Sequence, residues 1–314
     1  MSGTQRPRIA VFGSVNTDLI VFAPRIPAPG QTVHGNDLLV SGGGKGANQA
    51  VAAARLGAHV SMIACVGRDD FGLARHRELA SEGIDVIGVA FVEDAPSGVA
   101  LIIVDPTGQN AIAVSPGANK RLTAEFARAN RPALDLANVA LFQLENPLDG
   151  TIEAARIARD GGARVILNPA PAPSAPLPPE LLALIDVLVP NEHEATALSG
   201  IQVLDFESAI ASARAILAHG VGTVVVTLGD RGAVVVDARR QNAIPAWSVT
   251  AVDATGAGDT FCGALACALG RGEEIEAATR FAACAASISV TQPGARAGMP
   301  YLDDVKRALA AVDA

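Results

Sequence analysis

The stretch Val252 to Phe261, VDATGAGDTF, runs into the apolar segment CGALACALG, so Asp259 stands beside Gly256, Ala257 and Gly258 where a helix begins. Amide N–H groups left free at a helix start can hold a transferring phosphoryl group, and a carboxylate there can take a proton from an attacking hydroxyl. An aspartate at that place can equally be an N-terminal cap. A second glycine element, SGGGKGANQA from Ser41 to Ala50, gathers glycines around Lys45 ahead of an alanine-rich run expected to be helical from Ala47 to Leu56. Lys45 is followed by Gly46 rather than by the hydroxyl residue that a GxxxxGK[ST] phosphate loop needs. Gly42, Gly44 and Ala47 formally match GxGxxG/A, yet they follow DLLV and an irregular polar stretch instead of a first βα turn, which counts against a nicotinamide dehydrogenase. What remains is a backbone that a small polar ligand can approach closely, with Lys45 and Asn48 as donors. Such a pocket suits a polyol or sugar as readily as a phosphate.

These residues need a frame, and the whole chain bounds it. Its 314 residues can bury a substantial core, and with 50% hydrophobic but only 4% aromatic residues that core must be built from Ala, Val, Leu and Ile. Such a composition suits helices packed on a parallel sheet. A net charge of -8 argues against a nucleic-acid or anionic-membrane surface, each of which needs a basic patch. Cys65, Cys262, Cys267 and Cys284 stand in apolar segments without metal-ligand spacing, as buried free thiols would. The opening MSGTQRPRIAVFG lacks a signal-peptide core, and no apolar run approaches the ~20 residues of a membrane helix. A cytoplasmic protein with no membrane partner is expected.

Strand-like runs alternate with helical ones. Strands are expected at 8–12, 60–66, 139–144, 163–168, 186–190 and 223–229, and helices near 71–82, 151–160, 180–184, 192–199, 205–219, 258–270, 274–290 and 302–312. Strands joined by crossover helices imply a mostly parallel sheet covered on both faces. Gly98 to Val104 and Asn110 to Val114, separated by DPTGQ, form a hairpin, and the segments 15–40 and 90–115 read as a small β appendage inserted into the α/β core. Ligands collect at the carboxyl ends of parallel strands, which puts Gly13 to Asp18, Asn168, Asn191 and Thr227 to Gly232 on one rim.

Taken together, GGKGANQA (43–50) and DATGAGDTF (253–261), with GSVNTD (13–18), QLENP (143–147), NPAPA (168–172), PNEHEA (190–195) and TLGDRG (227–232), resemble the ribokinase branch of the PfkB carbohydrate kinase family, over essentially the whole chain. The resemblance implies a single kinase domain, 1–314, with a ribokinase-like three-layer α/β/α sandwich and a β-sheet lid. It assigns Asn16, Asp18, Gly44, Lys45, Gly46, Ala47, Asn48 and Glu145 to the sugar, and Asp259 to activation of the acceptor hydroxyl. Gly256, Ala257 and Gly258 become the anion hole. Thr227, Leu228, Gly229, Asp230, Arg231 and Gly232 would lie along the nucleotide with Gly258, and Ala283 stands where the pattern often has a polar residue near adenine. Asn191 and Glu194 would organise magnesium through water, and Asp253, Thr255, Ser289, Gln292, Gly294 and Gly298 a potassium ion. Implied too are ATP as phosphoryl donor, D-ribose as acceptor and a homodimer through the lid. A nucleoside kinase, or a kinase of deoxyribose or fructose, would use the same fold and base. A noncatalytic sugar sensor on this fold is the reading of another class, and an intact Asp259, GAG and NxxE argue against it.

Overall fold

The computed structural model describes residues 6–312; the opening Met1–Gln5 and the last two residues lie outside the described residues. From the N-terminus, β1 (Arg8–Phe12) is followed by β2 (Asn16–Phe22), β3 (Leu38–Gly43), α1 (Lys45–Arg55), β4 (His59–Gly67), α2 (Asp70–Ser81) and β5 (Val89–Val92). Next come β6 (Gly98–Val104), β7 (Asn110–Ser115), α3 (Ala124–Ala129), α4 (Arg131–Asp135), β8 (Val139–Phe142), α5 (Leu148–Asp160) and β9 (Arg164–Leu167). The chain continues through α6 (Pro179–Leu182), β10 (Val187–Leu188), α7 (Glu192–Ser199), α8 (Phe206–Leu217), β11 (Thr223–Thr227), β12 (Ala233–Asp237) and β13 (Gln241–Ile244). It closes on α9 (Ala257–Gly270), α10 (Ile275–Ser289) and α11 (Leu302–Val312).

Among the described residues, a 9-stranded sheet runs in the order β13-β12-β11-β10-β9-β8-β1-β4-β5, and a 4-stranded sheet in the order β3-β2-β6-β7. Pairing in the large sheet is parallel from β5 across to β11, and only the β11–β12 and β12–β13 pairs are antiparallel, so β12 alone runs against the rest. The expected parallel α/β frame is therefore the observed one, with right-handed crossovers as its natural connection.

One buried cluster lies on each face of the sheet. On one face α1, α9 and α10 pack through Ala50, Ala53, Ala264, Ala268, Ala282 and Ala285 against inward residues such as Ile9 and Val11. Alanine lets these helices approach closely, which explains how a core with few aromatic residues stays dense. On the other face Phe12 and Phe142 meet Ala154, Ala158, Leu181 and Ile216 of the helices from α5 to α8. Alternation along β1 feeds both clusters, Ile9 and Val11 to one and Ala10 and Phe12 to the other.

Three differences from the sequence expectation follow from local physics. Val89–Val92, grouped by sequence with the small appendage, pairs with β4 at the edge of the large sheet, so the small sheet draws its second segment from β6 and β7 alone. The helix expected from Ala47 begins at Lys45, because Gly44 takes up φ 88° and caps it. The appendage, expected to end near residue 40, extends further: the strand Leu38–Gly43 carries on through Gly42 and Gly43 straight into that helix. The four cysteines are buried and free. Among the described residues no helix is long and apolar enough to cross a membrane.

Candidate active site

The carboxyl ends of β9, β10 and β11 and the starts of α1, α7 and α9 converge on a cavity of about 180 Å³ lined by Lys45, Asn168, Asn191, Glu194, Thr227, Gly256, Gly258 and Asp259, with Cys262. Such a volume is below the ~300–1,000 Å³ of sites that enclose a drug-sized ligand.

Asp259 sits at the third position of α9 and is 8% exposed. It is not the N-cap: Gly256, at φ 77°, holds that position without a side-chain cap, so the Asp259 carboxylate is free to face the cavity. Two amides from the first turn of α1 hold it. Asn48 Nδ2 donates to Oδ2 at 3.0 Å, and Gln49 Nε2 donates to Oδ1 at 3.2 Å. Gln49 uses its other N–H on Asn168 Oδ1 at 3.2 Å, while its carbonyl oxygen accepts from Gln143 Nε2 at 2.6 Å. Burial pushes the Asp259 carboxyl up, and Lys45, Asn48 and Gln49 oppose that rise. Burial would lower the Lys45 ammonium, but Asp259, Glu145 and Glu194 around it hold it above its ordinary value. A cation thus stands among three carboxylates, one of them the buried, raised Asp259.

The residues that the resemblance assigned to the sugar gather where β2 and β3 of the small sheet meet the start of α1. Asn16 is 3% exposed, and its Oδ1 accepts from Asn119 Nδ2 at 2.7 Å. Asp18, on β2 opposite Ser41 of β3, lies against Gly43, where a Cβ would come within 2.1 Å of the carboxylate. Only glycine leaves that carboxylate its place. Burial pushes Asp18 up to about 6, with Arg296 opposing and Glu145 adding to the rise. Glu145 Oε2 accepts from Ser14 Oγ at 2.5 Å and from the Lys45 N–H at 3.1 Å, tying the end of β8 to the start of α1. Gly44 is the cap of α1, and Gly46 and Ala47 are buried in its first turn, where Ala47 N–H donates to Ser14 O at 2.9 Å. Lys45 therefore serves both ends: its backbone faces Glu145 and its side chain lines the cavity beside Asn191, Glu194 and Gly258. If sugar binding uses ionised Asp18, the sugar KM is flat above about pH 7 and rises as pH falls through about 6, because protonation removes an acceptor. A KM unchanged down to pH 5 would remove Asp18 from that role.

The remaining expected residues divide. Asn191 caps α7 in a reciprocal box: its Oδ1 accepts from Glu194 N–H at 2.8 Å, and its own N–H and Nδ2 donate to the Glu194 carboxylate at 2.9 and 3.0 Å. Glu194, 5% exposed, is pushed up by burial, with the Asn191 N–H and Lys45 opposing. Asp253 ties two loops, accepting from Thr255 N–H at 2.9 Å and from Gly294 N–H at 2.8 Å. Gly298 packs on the Ser289 carbonyl, which a Cβ would approach to 2.0 Å, while Gln292 is exposed. Of the stretch after β11, Thr227 lines the cavity, Leu228 is buried, Gly229 and Asp230 are exposed, Gly232 is buried and Arg231 pairs with Glu192 at 2.6 Å. Ala257 N–H donates to Ala254 O at 3.2 Å, while Gly256 and Gly258 line the cavity. Ala283 is buried in α10, outside this cavity's lining. Asn168, expected on the rim, lines the cavity, whereas Gln49, Asn119 and Arg296 belong to the network without having been singled out from the sequence.

Comparison with known proteins accounts for this arrangement. The sequence matches the pfkB family carbohydrate kinase profile over residues 6–302. A ribokinase of Haemophilus influenzae is 41% identical over 295 residues, covering 94% of this chain and 96% of its own. A deoxyribokinase of Salmonella typhi is 36% identical, covering 94% and 96%. The structure of Arabidopsis thaliana ribokinase complexed with ribose and ATP superposes with a TM-score of 0.91 at 32% identity, covering 97% of this chain and 99% of that one. The chain belongs to the pfkB family of carbohydrate kinases.

Proposed function

We propose that this carbohydrate kinase transfers the γ-phosphoryl group of MgATP to the 5-hydroxyl of D-ribose, giving D-ribose 5-phosphate and ADP. The observation that carries the reading is the buried Asp259 carboxylate, held by Asn48 and Gln49 between Lys45 and the Gly256–Gly258 helix start. Relatives named as ribokinases, 37% to 41% identical over nearly the full length, support the choice of pentose.

In the reaction, Asp259 takes the proton of the 5-hydroxyl as the O5–phosphorus bond forms, and the bond from phosphorus to the β–γ bridging oxygen breaks to release ADP. The raised position of the Asp259 carboxyl makes it a better proton acceptor than an exposed aspartate. Amides at the start of α9 and the Lys45 ammonium face the charge that develops on the transferring group. Asn16, Asp18, Asn48 and Glu145 pair with the sugar hydroxyls, which need partners once buried. Magnesium arriving with ATP supplies charge neutralisation on the phosphates. Glu194 fits an outer position toward it, because both carboxylate oxygens already accept from Asn191 and the remaining lone pairs suit an ion-bound water.

A potassium site fits the paired loops 253–255 and 289–298. The Asp253 carboxylate ties them, and Gly298 leaves the Ser289 carbonyl uncovered by any side chain. When bound, the ion supplies positive charge behind the helix start of α9. Replacing potassium by sodium is expected to lower the rate severalfold, whereas equal rates in matched chloride salts would remove this site.

The small sheet carries exposed apolar residues on both faces, Leu39, Ile112 and Val114 on the side of Asp18 and Leu38, Val40 and Leu101 on the other, each 45% exposed or more. We read it as a lid that closes over the sugar with the Asp18 side and pairs through the other with the lid of a second copy, consistent with a homodimer. Leu101→Glu should convert that dimer to a monomer in light scattering; a monomeric parent protein would refute the pairing. The substrate is tested by ADP release with MgATP across ribose, deoxyribose, fructose, adenosine and uridine. Ribose giving the highest kcat/KM is expected, and turnover with a nucleoside alone would keep the mechanism and move the substrate.

A further inference from the structure

Arg296 reaches the site from a loop that carries none of the sugar-binding motifs. Its side chain is 10% exposed, and the guanidinium touches three elements at once. Nε donates to Asn48 Oδ1 at 2.8 Å, Nη2 donates to the Gly43 carbonyl at 3.1 Å, and Nη1 lies 3.0 Å from Glu78 Oε1 of α2 in an ion pair off hydrogen-bond alignment. Arg75 and Glu78 of α2 and Asp18 of β2 complete the charged surroundings.

The contact with Asn48 has a definite consequence. A side-chain amide can be turned either way, with its oxygen or its nitrogen toward the carboxylate. With Oδ1 capped by Arg296, Asn48 must present Nδ2 to Asp259, as observed at 3.0 Å, which leaves one further N–H of that amide to donate. Gln49 is fixed in the same manner by Gln143, so each of the two amides holding the base is oriented by a donor behind it. Arg296 also fixes the Gly43 carbonyl, one residue from the cap of α1 and against the Asp18 carboxylate.

We propose that Arg296 is a positioning residue for the phosphoryl acceptor: it sets the orientation of the Asn48 amide and the seat of Gly43, so that Asn48 offers the acceptor sugar an N–H and keeps its other N–H on the base. The proposal rests on the reading of Asn48 and Asp18 as sugar-binding. The loop itself does not depend on this side chain, because Arg55 Nη1 donates to the Arg296 and Met299 carbonyls at 2.7 and 3.2 Å and Arg55 is held in turn by Glu82. Arg296 variants should therefore fold.

The test compares Arg296→Gln and Arg296→Lys, each alone and combined with Asn48→Ala, by steady-state kinetics with ribose and MgATP and by calorimetry of ribose binding. Losing a hydrogen bond from a charged donor is expected to raise the ribose KM and Kd roughly tenfold to hundredfold in Arg296→Gln, with the MgATP KM moving less than about twofold. Arg296→Lys keeps the charge opposite Glu78 but cannot reproduce the planar two-point contact, so it recovers little of the sugar affinity; it also serves if the glutamine variant is insoluble. Because the arginine acts through Asn48, adding either variant to Asn48→Ala should cost less than about threefold in kcat/KM. Effects that multiply in the double variants, or equal rises in the ribose and MgATP KM, overturn the proposal. Wild-type protein that neither turns over nor binds ribose sinks the assigned activity and this role together, whereas active wild type with unchanged variants sinks this role alone.

Discussion

Asp259→Asn is expected to lower kcat by roughly 10²–10⁴-fold, the usual contribution of a positioned base, while ribose and ATP bind within a few-fold of the parent protein. The asparagine fills the same volume, so the cavity keeps its shape. It cannot accept a proton, however, and one of its two polar atoms now meets a donor with a donor, since Asn48 and Gln49 both present N–H groups to this position. That mismatch predicts a small loss of thermal stability alongside the large loss of turnover. A fall in sugar and nucleotide affinity of the same size as the fall in kcat would make Asp259 a structural residue instead.

Lys45→Met carries the second largest expected effect. Its ammonium is the counter-charge for Asp259, Glu145 and Glu194, and it lines the cavity where charge develops. Removing one such stabilising group typically costs roughly 10²–10³ in kcat. The pH profile gives the sharper signature. Burial raises the Asp259 carboxyl and Lys45 opposes that rise, so without the lysine the carboxyl stays protonated to higher pH. The acid limb of kcat should then move upward in pH in Lys45→Met, and a limb that stays in place would show that the lysine does not face the base.

Much of this frame was legible in the residues, and the parts that were not share a physical cause. Arg8–Phe12 and Glu192–Ser199 have the boundaries expected from sequence, because a continuous apolar run bounded by Pro7 and Gly13 and an Asn-x-x-Glu box state their ends locally. The hairpin of Gly98–Val104 and Asn110–Ser115 is equally local, fixed by its Pro-Thr-Gly turn. Leu38–Gly43 was harder: its leucines and valine are exposed and show no alternation, and glycines normally weaken a strand. Val89–Val92 offered a short apolar run with nothing to say which sheet would receive it.

The site divides in the same way. Asp259, Lys45, Asn48 and Glu145 stand in motifs whose residues speak for themselves. Arg296 contacts Asn48 across 248 positions and Gln143 contacts Gln49 across 94, and neither spacing leaves a trace in the chain. Only the Asp259 side of the base was visible; the donors that orient its two amides required the fold. The backbone state of Ala257, whose N–H turns to Ala254, was likewise out of reach, since a GAG tripeptide states freedom and not its use.

The most direct test of the central claim is the identity of the product formed from ¹³C-labelled ribose and MgATP, followed by phosphorus and carbon NMR. Phosphorus coupled to C5 of the pentose, appearing at the rate of ADP release and absent with Asp259→Asn, is the predicted result. Phosphorus on another carbon, or ADP formed without any sugar phosphate, would contradict it.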